Sequence, residues 1–301
     1  MWSLFSDAFA AMCHWSMLSF LARCCLMAAC WLPLSSAHAQ WATLNWTIAE
    51  TLLAIDAPLS GTAQHKGYHE WVGEPGIPDG VADLGLRSQP NLELMAQSPP
   101  AHTFISPMFA GLTERLERVA PVTSFYPYSP GTHTWQEIHT LTRQLGELTS
   151  RQEQAAQLIN ETQALLETLR QQRPDAPPLL MVQFMDARHV RVFGDNSLYH
   201  AVLEQIDLAN AWDRPTNAWG FSLVGIEALY DYPEATLVVV EPLPAGVEAS
   251  LSQSGLWQHL PSVENATLLR LPPVWSFGAL PAAQRFAREL VAALTLRSSL
   301  E

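Results

Sequence analysis

Beyond position 39 this 301-residue chain has no cysteine: Cys13, Cys24, Cys25 and Cys30 all precede that point. Disulfides and thiolate metal sites therefore cannot stabilise the body of the protein, and an oxidising compartment poses no hazard of mispairing. Lysine is nearly absent as well. Lys66 is the only one, and 29 acidic against 16 basic side chains give a net charge of −13. Such a surface repels phosphate backbones, which excludes a nucleic-acid partner. No apolar run reaches the ~20 residues of a membrane-spanning helix. Walker, H-E-x-x-H and G-x-G-x-x-G patterns are missing. Gly220-Phe-Ser222-Leu-Val-Gly225 is one residue too long for the G-x-S-x-G elbow, so a secreted hydrolase has little support.

The first segment reads as a leader. Arg23 precedes the apolar run Cys24–Leu34, and Ser36-Ala37-His38-Ala39 supplies a small-x-small cleavage pattern. A signal peptide over 1–39 is expected, with Met17 as a possible start, because residues 1–16 carry Asp7 and fit a basic n-region poorly. Leu26-Met-Ala-Ala-Cys30 loosely resembles a lipobox, which leaves lipoprotein processing at Cys30 as the alternative. Either route implies a soluble or lipid-tethered periplasmic protein. About 260 residues then remain, enough for one large or two modest domains.

Short apolar runs alternate with helical segments from Trp41 onward, the pattern of α/β units around mainly parallel sheets. Strands are expected at 41–45, 59–64, 81–84, 102–106 and 122–126, then at 179–184, 190–193, 236–240 and 268–271. Helices are expected at 46–55, 90–96, 111–119, 197–206 and 282–296. Between the halves, Ser150-Arg-Gln-Glu153 reads as a capping box. Leu158, Ile159, Leu165, Leu166 and Leu169 follow at helical spacing, and Pro174, Pro177 and Pro178 end the run. The expected architecture is α/β with two lobes, each a mainly parallel sheet with flanking helices. The N-terminal lobe spans 40–149, one long spine helix 150–173 and the C-terminal lobe 174–301. A stiff spine lets lobes rock by a few degrees rather than clap shut.

Ligands in such sheets lie beyond the carboxyl ends of the strands. Val81–Leu86 reads as a strand running out at Arg87, followed by a helix opening at Pro90, whose missing N–H suits the first turn. Arg87 fits either an ordinary surface ion pair or a guanidinium fork held in a crevice for oxyanions or carbonyl-like oxygens. Aromatics near strand ends are candidates beside it: Trp71, Phe109, Tyr126, Trp219, Trp275 and Phe277. A tryptophan is more often core than ligand surface, but Trp219 and Trp275 lie in loops punctuated by Gly and Pro. His65 and His69 have i, i+4 spacing, yet Gly67 between them argues for a solvated loop rather than a metal site.

The strings Trp71-Val-Gly-Glu-Pro-Gly-Ile-Pro-Asp79, Val81–Met95, His189–Leu198, Asn210–Gly220 and Pro273-Val-Trp275-Ser-Phe277-Gly-Ala resemble, in order, the periplasmic ferric-hydroxamate siderophore-binding proteins of ABC importers, the cluster with a helical hinge. The resemblance runs from about Trp41 to about Leu296. It implies a binding protein rather than an enzyme, a ferric hydroxamate as ligand with no direct protein–iron bond, an importer permease as partner, and a monomer. It places Trp71, Trp219, Trp275 and Phe277 on the pocket wall and Arg87 on the hydroxamate oxygens. Phe109 stands where the family pattern has a tyrosine, with Tyr68 or Tyr126 as substitutes for the lost hydroxyl. Ser276, where the family tends to have an aromatic, hints at a reshaped wall. It also implies that Glu93 and Glu227, with Glu74 as a third, are carboxylates that engage permease arginines. The bland alternative for these glutamates is simple helix-dipole stabilisation. Cobalamin, haem and catecholate complexes are alternative cargoes, and catecholates would want more basic residues than Arg87 and one lysine supply.

Overall fold

A computed structural model describes residues 40–126, 128 and 133–299. The expected leader over 1–39, with its cysteines, lies outside the described residues. The first half contains β1 (Trp41–Thr43), α1 (Trp46–Ala54), β2 (Leu59–Thr62), α2 (His65–Trp71), β3 (Ala82–Asp83), a hairpin of β4 (Gly85–Leu86) and β5 (Gln89–Pro90), α3 (Leu92–Gln97), β6 (His102–Ile105) and β7 (Val122–Ser124). Its sheet has the order β3-β2-β1-β6-β7, and every pairing in it is parallel.

Two helices follow, α4 (Thr134–Leu148) and α5 (Gln152–Gln172). At ~1.5 Å per residue the second is roughly 30 Å long. It buries Ala155, Leu158, Ile159, Thr162, Leu166 and Leu169, the stripe its periodicity demands. The second half adds β8 (Leu179–Phe184), β9 (His189–Phe193), α6 (Leu198–Gln205), β10 (Phe221–Gly225), β11 (Thr236–Val240), β12 (Leu269–Leu271) and α7 (Leu280–Ser298). Here the order is β10-β9-β8-β11-β12. The β8, β11 and β12 pairings are parallel, and β9 and β10 are antiparallel. Every residue of β8 and β11 is buried, as befits central strands covered on both faces. Among the described residues no helix is long and apolar enough to cross a membrane.

Several expectations change. No helix opens at Pro90: Gly85 pairs with Pro90 and Leu86 with Gln89, so Arg87-Ser88 is the turn of a two-residue hairpin. The helix starts two residues later, at Leu92, with the Asn91 side chain accepting from Leu94 N. The capping box does not form. Ser150 has a φ of 56°, and Arg151 caps α5 without a side-chain bond. The α4–α5 turn is fixed instead by close approach at Gly146, where a Cβ would lie 2.6 Å from Ala155 Cβ and 3.1 Å from Arg151 O. The stretch expected as a helix over 111–119 is a 3-10 segment, Pro107–Leu112, running into the short helix Thr113–Leu116. His65–Trp71 is helical despite Gly67, and the glycine is there because a Cβ would come within 2.8 Å of the Trp46 ring.

Candidate ligand-binding site

A cavity of about 430 Å³ is lined from the first half by Asn45, Thr47, Arg87 and Ser106–Met108, and from the second by Arg191, Ala218, Trp219, Trp275 and Phe277, with Tyr126 and Tyr128. Its volume lies in the range of small-molecule sites, ~300–1,000 Å³. Larger depressions of about 730 and 580 Å³ lie elsewhere. Neither collects arginines with aromatic rings, so the smaller cavity is the chemically distinctive one.

Arg87 reaches it from the hairpin tip. Asp83 holds that hairpin against the start of α2, accepting from Gly85 N at 3.0 Å, Gln64 N at 3.0 Å and His65 N at 3.2 Å. The Arg87 Nε–H donates to Leu44 O at the end of β1, 3.0 Å away. Its guanidinium carbon lies 4.4 Å from the Trp46 ring centre, 5.2 Å from Phe109 and 5.7 Å from Trp275. The side chain is thus seated in an aromatic box, where cation–π attraction offsets some of its desolvation. Burial lowers its pKa to about 10, which leaves it protonated at neutral pH. Among the described residues no carboxylate pairs with it, and only Nε is engaged, so the outer nitrogens are available to an acceptor.

On the opposite wall residues 274–277 alternate. Val274 and Ser276 are buried, while Trp275 and Phe277 are half-buried at the cavity. Ser276 therefore does not reshape the wall. Phe277 is the hub, with ring centres 5.3 Å from Trp275, 5.9 Å from Trp219, 6.1 Å from Phe221 and 6.4 Å from Tyr128. The Trp219 loop is drawn tight by Asn217, whose side-chain oxygen accepts from Trp219 N at 2.9 Å. Gly220 is obligatory there: its φ is 79°, and a Cβ would stand 2.7 Å from Ser197 Cα.

The two halves are joined beneath the cavity. Thr47 Oγ1 donates to Phe277 O at 2.5 Å, and Trp275 Nε1 donates to Thr47 Oγ1 at 3.3 Å. Tyr128 OH donates to Gly278 O at 2.5 Å. The fully buried Glu50 of α1 accepts from Ala279 N at the start of α7. Burial raises the Glu50 pKa to about 8, so its carboxyl is mostly protonated at neutral pH.

Three expected residues do not line the cavity. Trp71 packs against the core. Tyr68 is wholly buried and its hydroxyl donates to Pro75 O at 2.8 Å, so it cannot replace a missing hydroxyl. Phe109 is 5% exposed and turned under Arg87, and Met108 lines the wall in its place. Tyr126 does line it, at 61% exposure. Sequence reasoning missed Tyr128, Met108 and Arg191. Only the last left a signal, a charged residue between the wholly buried Val190 and Val192. Arg191 sits on β9 opposite Leu223, with its guanidinium 4.8 Å from the Phe221 ring and 5.7 Å from Phe277.

Glu93 and Glu227 are exposed in the first turns of α3 and of the 3-10 segment Ile226–Asp231, and Glu74 is exposed in the loop after α2. None of the three makes an ion pair among the described residues. Ser222 lies within β10, a strand the sequence reading did not anticipate, and its hydroxyl donates to Pro215 O at 2.6 Å. That hydroxyl is not poised for nucleophilic attack. His65 and His69 are joined by no third metal-ligating residue; no such group of three occurs among the described residues.

Two α/β sheets contributing to one aromatic cavity, with α4 and the long α5 between them in sequence, define the class of two-lobed substrate-binding proteins with a helical hinge. The chain matches the periplasmic binding protein family over residues 42–274 and belongs to it. It is 32% identical over 249 residues to the iron(3+)-hydroxamate-binding protein FhuD of Escherichia coli strain K12, covering 82% of this chain and 84% of that one. The Vibrio cholerae siderophore-binding protein FhuD, solved with Fe3+-Desferal bound, superposes with a TM-score of 0.81 at 25% identity, over 86% of this chain and 98% of that one. The triscatecholate siderophore-binding protein FeuA of Bacillus subtilis follows with a TM-score of 0.68 at 14% identity, over 87% and 94%, a likeness of fold alone.

Proposed function

We propose that this protein captures a ferric hydroxamate siderophore in the cavity between its sheets and delivers it, in the periplasm and as a monomer, to the permease of an ABC importer. The observation that carries the reading is Arg87: a guanidinium fixed by Leu44 O and three rings, with its outer nitrogens unspent among the described residues at an aromatic cavity. Three bidentate hydroxamates fill the six positions around ferric iron, which leaves carbonyl-like oxygens and alkyl arms outermost. A planar fork suits the oxygens, and Trp219, Trp275 and Phe277 suit the arms. No side chain need touch the metal. The hydroxamates named for the relatives in Escherichia coli and Vibrio cholerae support the same cargo. Glu93 and Glu227, one from each half and without an ion pair among the described residues, are the carboxylates we assign to permease arginines, with Glu74 as a third. The hydrogen bonds beneath the cavity and the stiff α5 favour small rocking on closure rather than a wide hinge motion.

Titration of tryptophan fluorescence with ferrichrome, ferrioxamine and coprogen tests this directly. Micromolar or tighter quenching by at least one is expected, and no response to any of them would overturn the reading. Arg87→Ala should weaken binding by roughly 2 kcal/mol, since hydrogen bonds to charged groups contribute ~1.5–3 kcal/mol.

A further inference from the structure

The cavity is cationic in a strongly acidic protein. Among the described residues its lining includes Arg87 and Arg191 and no aspartate or glutamate, although the chain as a whole carries a net charge of −13. The two arginines stand on different sheets and are bridged by rings: Arg87 is 5.7 Å from Trp275, Trp275 is 5.3 Å from Phe277, and Phe277 is 5.7 Å from Arg191. Arg191 has no ion-pair partner among the described residues. Its neighbours Val190 and Val192 point into the core, so the pleat alone sends Arg191 to the opposite face, where Phe221 carries it diagonally across the β9–β10 pair. A half-buried guanidinium without a counter-charge is costly unless something supplies one.

Arg87 accounts for the oxygens around the metal. A tris-hydroxamate iron centre is neutral, because three single negative charges cancel the ferric ion, so it leaves Arg191 without a partner. We infer that Arg191 is a second recognition residue of this cavity, selecting ferric hydroxamates that carry a free carboxylate on the arm reaching the second sheet, given that the cavity takes ferric hydroxamates at all.

Three ferric complexes built on one scaffold separate the possibilities: desferrioxamine B, its N-acetyl derivative and its N-succinyl derivative. The iron centre and chain are common to all, while the terminus is cationic, neutral or anionic. The wild-type protein should bind the succinyl complex about tenfold tighter than the acetyl one, as a charge-assisted hydrogen bond implies, with the free amine weakest. Arg191→Gln should remove that preference, so that the succinyl and acetyl complexes bind within about twofold of each other, while Arg191→Lys should retain the order. Equal wild-type affinities for the acetyl and succinyl complexes, or an equal loss for both in Arg191→Gln, would overturn the inference while hydroxamate capture stands. Binding of none of the three by folded wild-type protein would overturn the inference, and only a failure of ferrichrome and coprogen as well would overturn hydroxamate capture.

Discussion

The two walls of the cavity present the same chemical group in opposite ways. Arg87 comes from the tip of a hairpin, yet it is the more confined: a backbone carbonyl holds Nε and three rings surround the guanidinium. Arg191 comes from the middle of a strand, yet it rests on two rings and is held by no hydrogen bond among the described residues. Secondary structure is therefore a poor guide to how tightly a functional side chain is fixed. What fixes it is the number of partners it meets, and a pre-organised group gives geometric selectivity where a loose one adds mainly charge.

The seam shared by both walls should show the largest effect. Glu50 has a folded-state pKa of about 8, raised by burial from the ordinary 4.5. Below 4.5 both folded and unfolded chains hold the proton, and Glu50 contributes no pH dependence. As pH rises from 4.5 to 8 the unfolded chain releases its proton while the folded one retains it. The protein therefore loses stability across that window, on the order of 5 kcal/mol in all at ~1.4 kcal/mol per unit. Glu50→Gln should abolish that slope, read as the difference between wild-type and variant denaturation midpoints at pH 5, 6, 7 and 8. Parallel curves for the two proteins would mean that Glu50 ionises in the fold.

Next in size is the scaffold of the second wall. Gly220→Ala places a side chain at φ 79° and 2.7 Å from Ser197 Cα and Asn196 O, both fixed backbone. A loss of about 2–3 kcal/mol in stability is expected. Because Trp219 is adjacent, the surviving folded protein should also bind more weakly. Thermal unfolding together with the fluorescence titration checks both, and wild-type stability in this variant would show that the turn relaxes freely.

What was legible in the sequence follows the same contrast. The parallel-sheet strands, the apolar stripe of α5 and the proline stop after it were readable because burial on regular elements leaves a period. Trp219, Trp275 and Phe277 were readable from loops at strand ends and from the family strings. Local contests between caps and turns were not. Ser150 offers a capping oxygen, but the tight approach at Gly146 sets the chain in another conformation. The helix α4 was overlooked although Trp135, Ile138, Leu141 and Leu145 space it correctly, and β10 was read only as a failed nucleophile motif. Trp71, Tyr68 and Phe109 show the other limit. A motif gives the neighbourhood of a residue, while packing decides which way the ring turns, and here none of the three lines the cavity. Arg191 is hard to read from sequence, because one charge between valines in a strand ordinarily faces water.

The comparison between the walls is sharpest when lysine replaces each arginine in turn. At position 87 lysine keeps the charge but has no Nε–H to give Leu44 O and no planar face to lie on Trp46, so its ammonium need not occupy the box at all. Affinity for a neutral ferric hydroxamate should fall about tenfold, near 1.4 kcal/mol. At position 191 lysine removes a stacking partner of Phe221 and Phe277 but no hydrogen bond, and its ammonium can still reach an anionic arm. Less than a threefold change is expected for the same neutral ligand. Isothermal titration of both variants against ferrichrome decides the matter. Equal losses would mean that the walls act as equivalent charges and that the box around Arg87 adds nothing to recognition. A larger loss at 191 would mean that the strand, not the hairpin, carries the geometric selectivity.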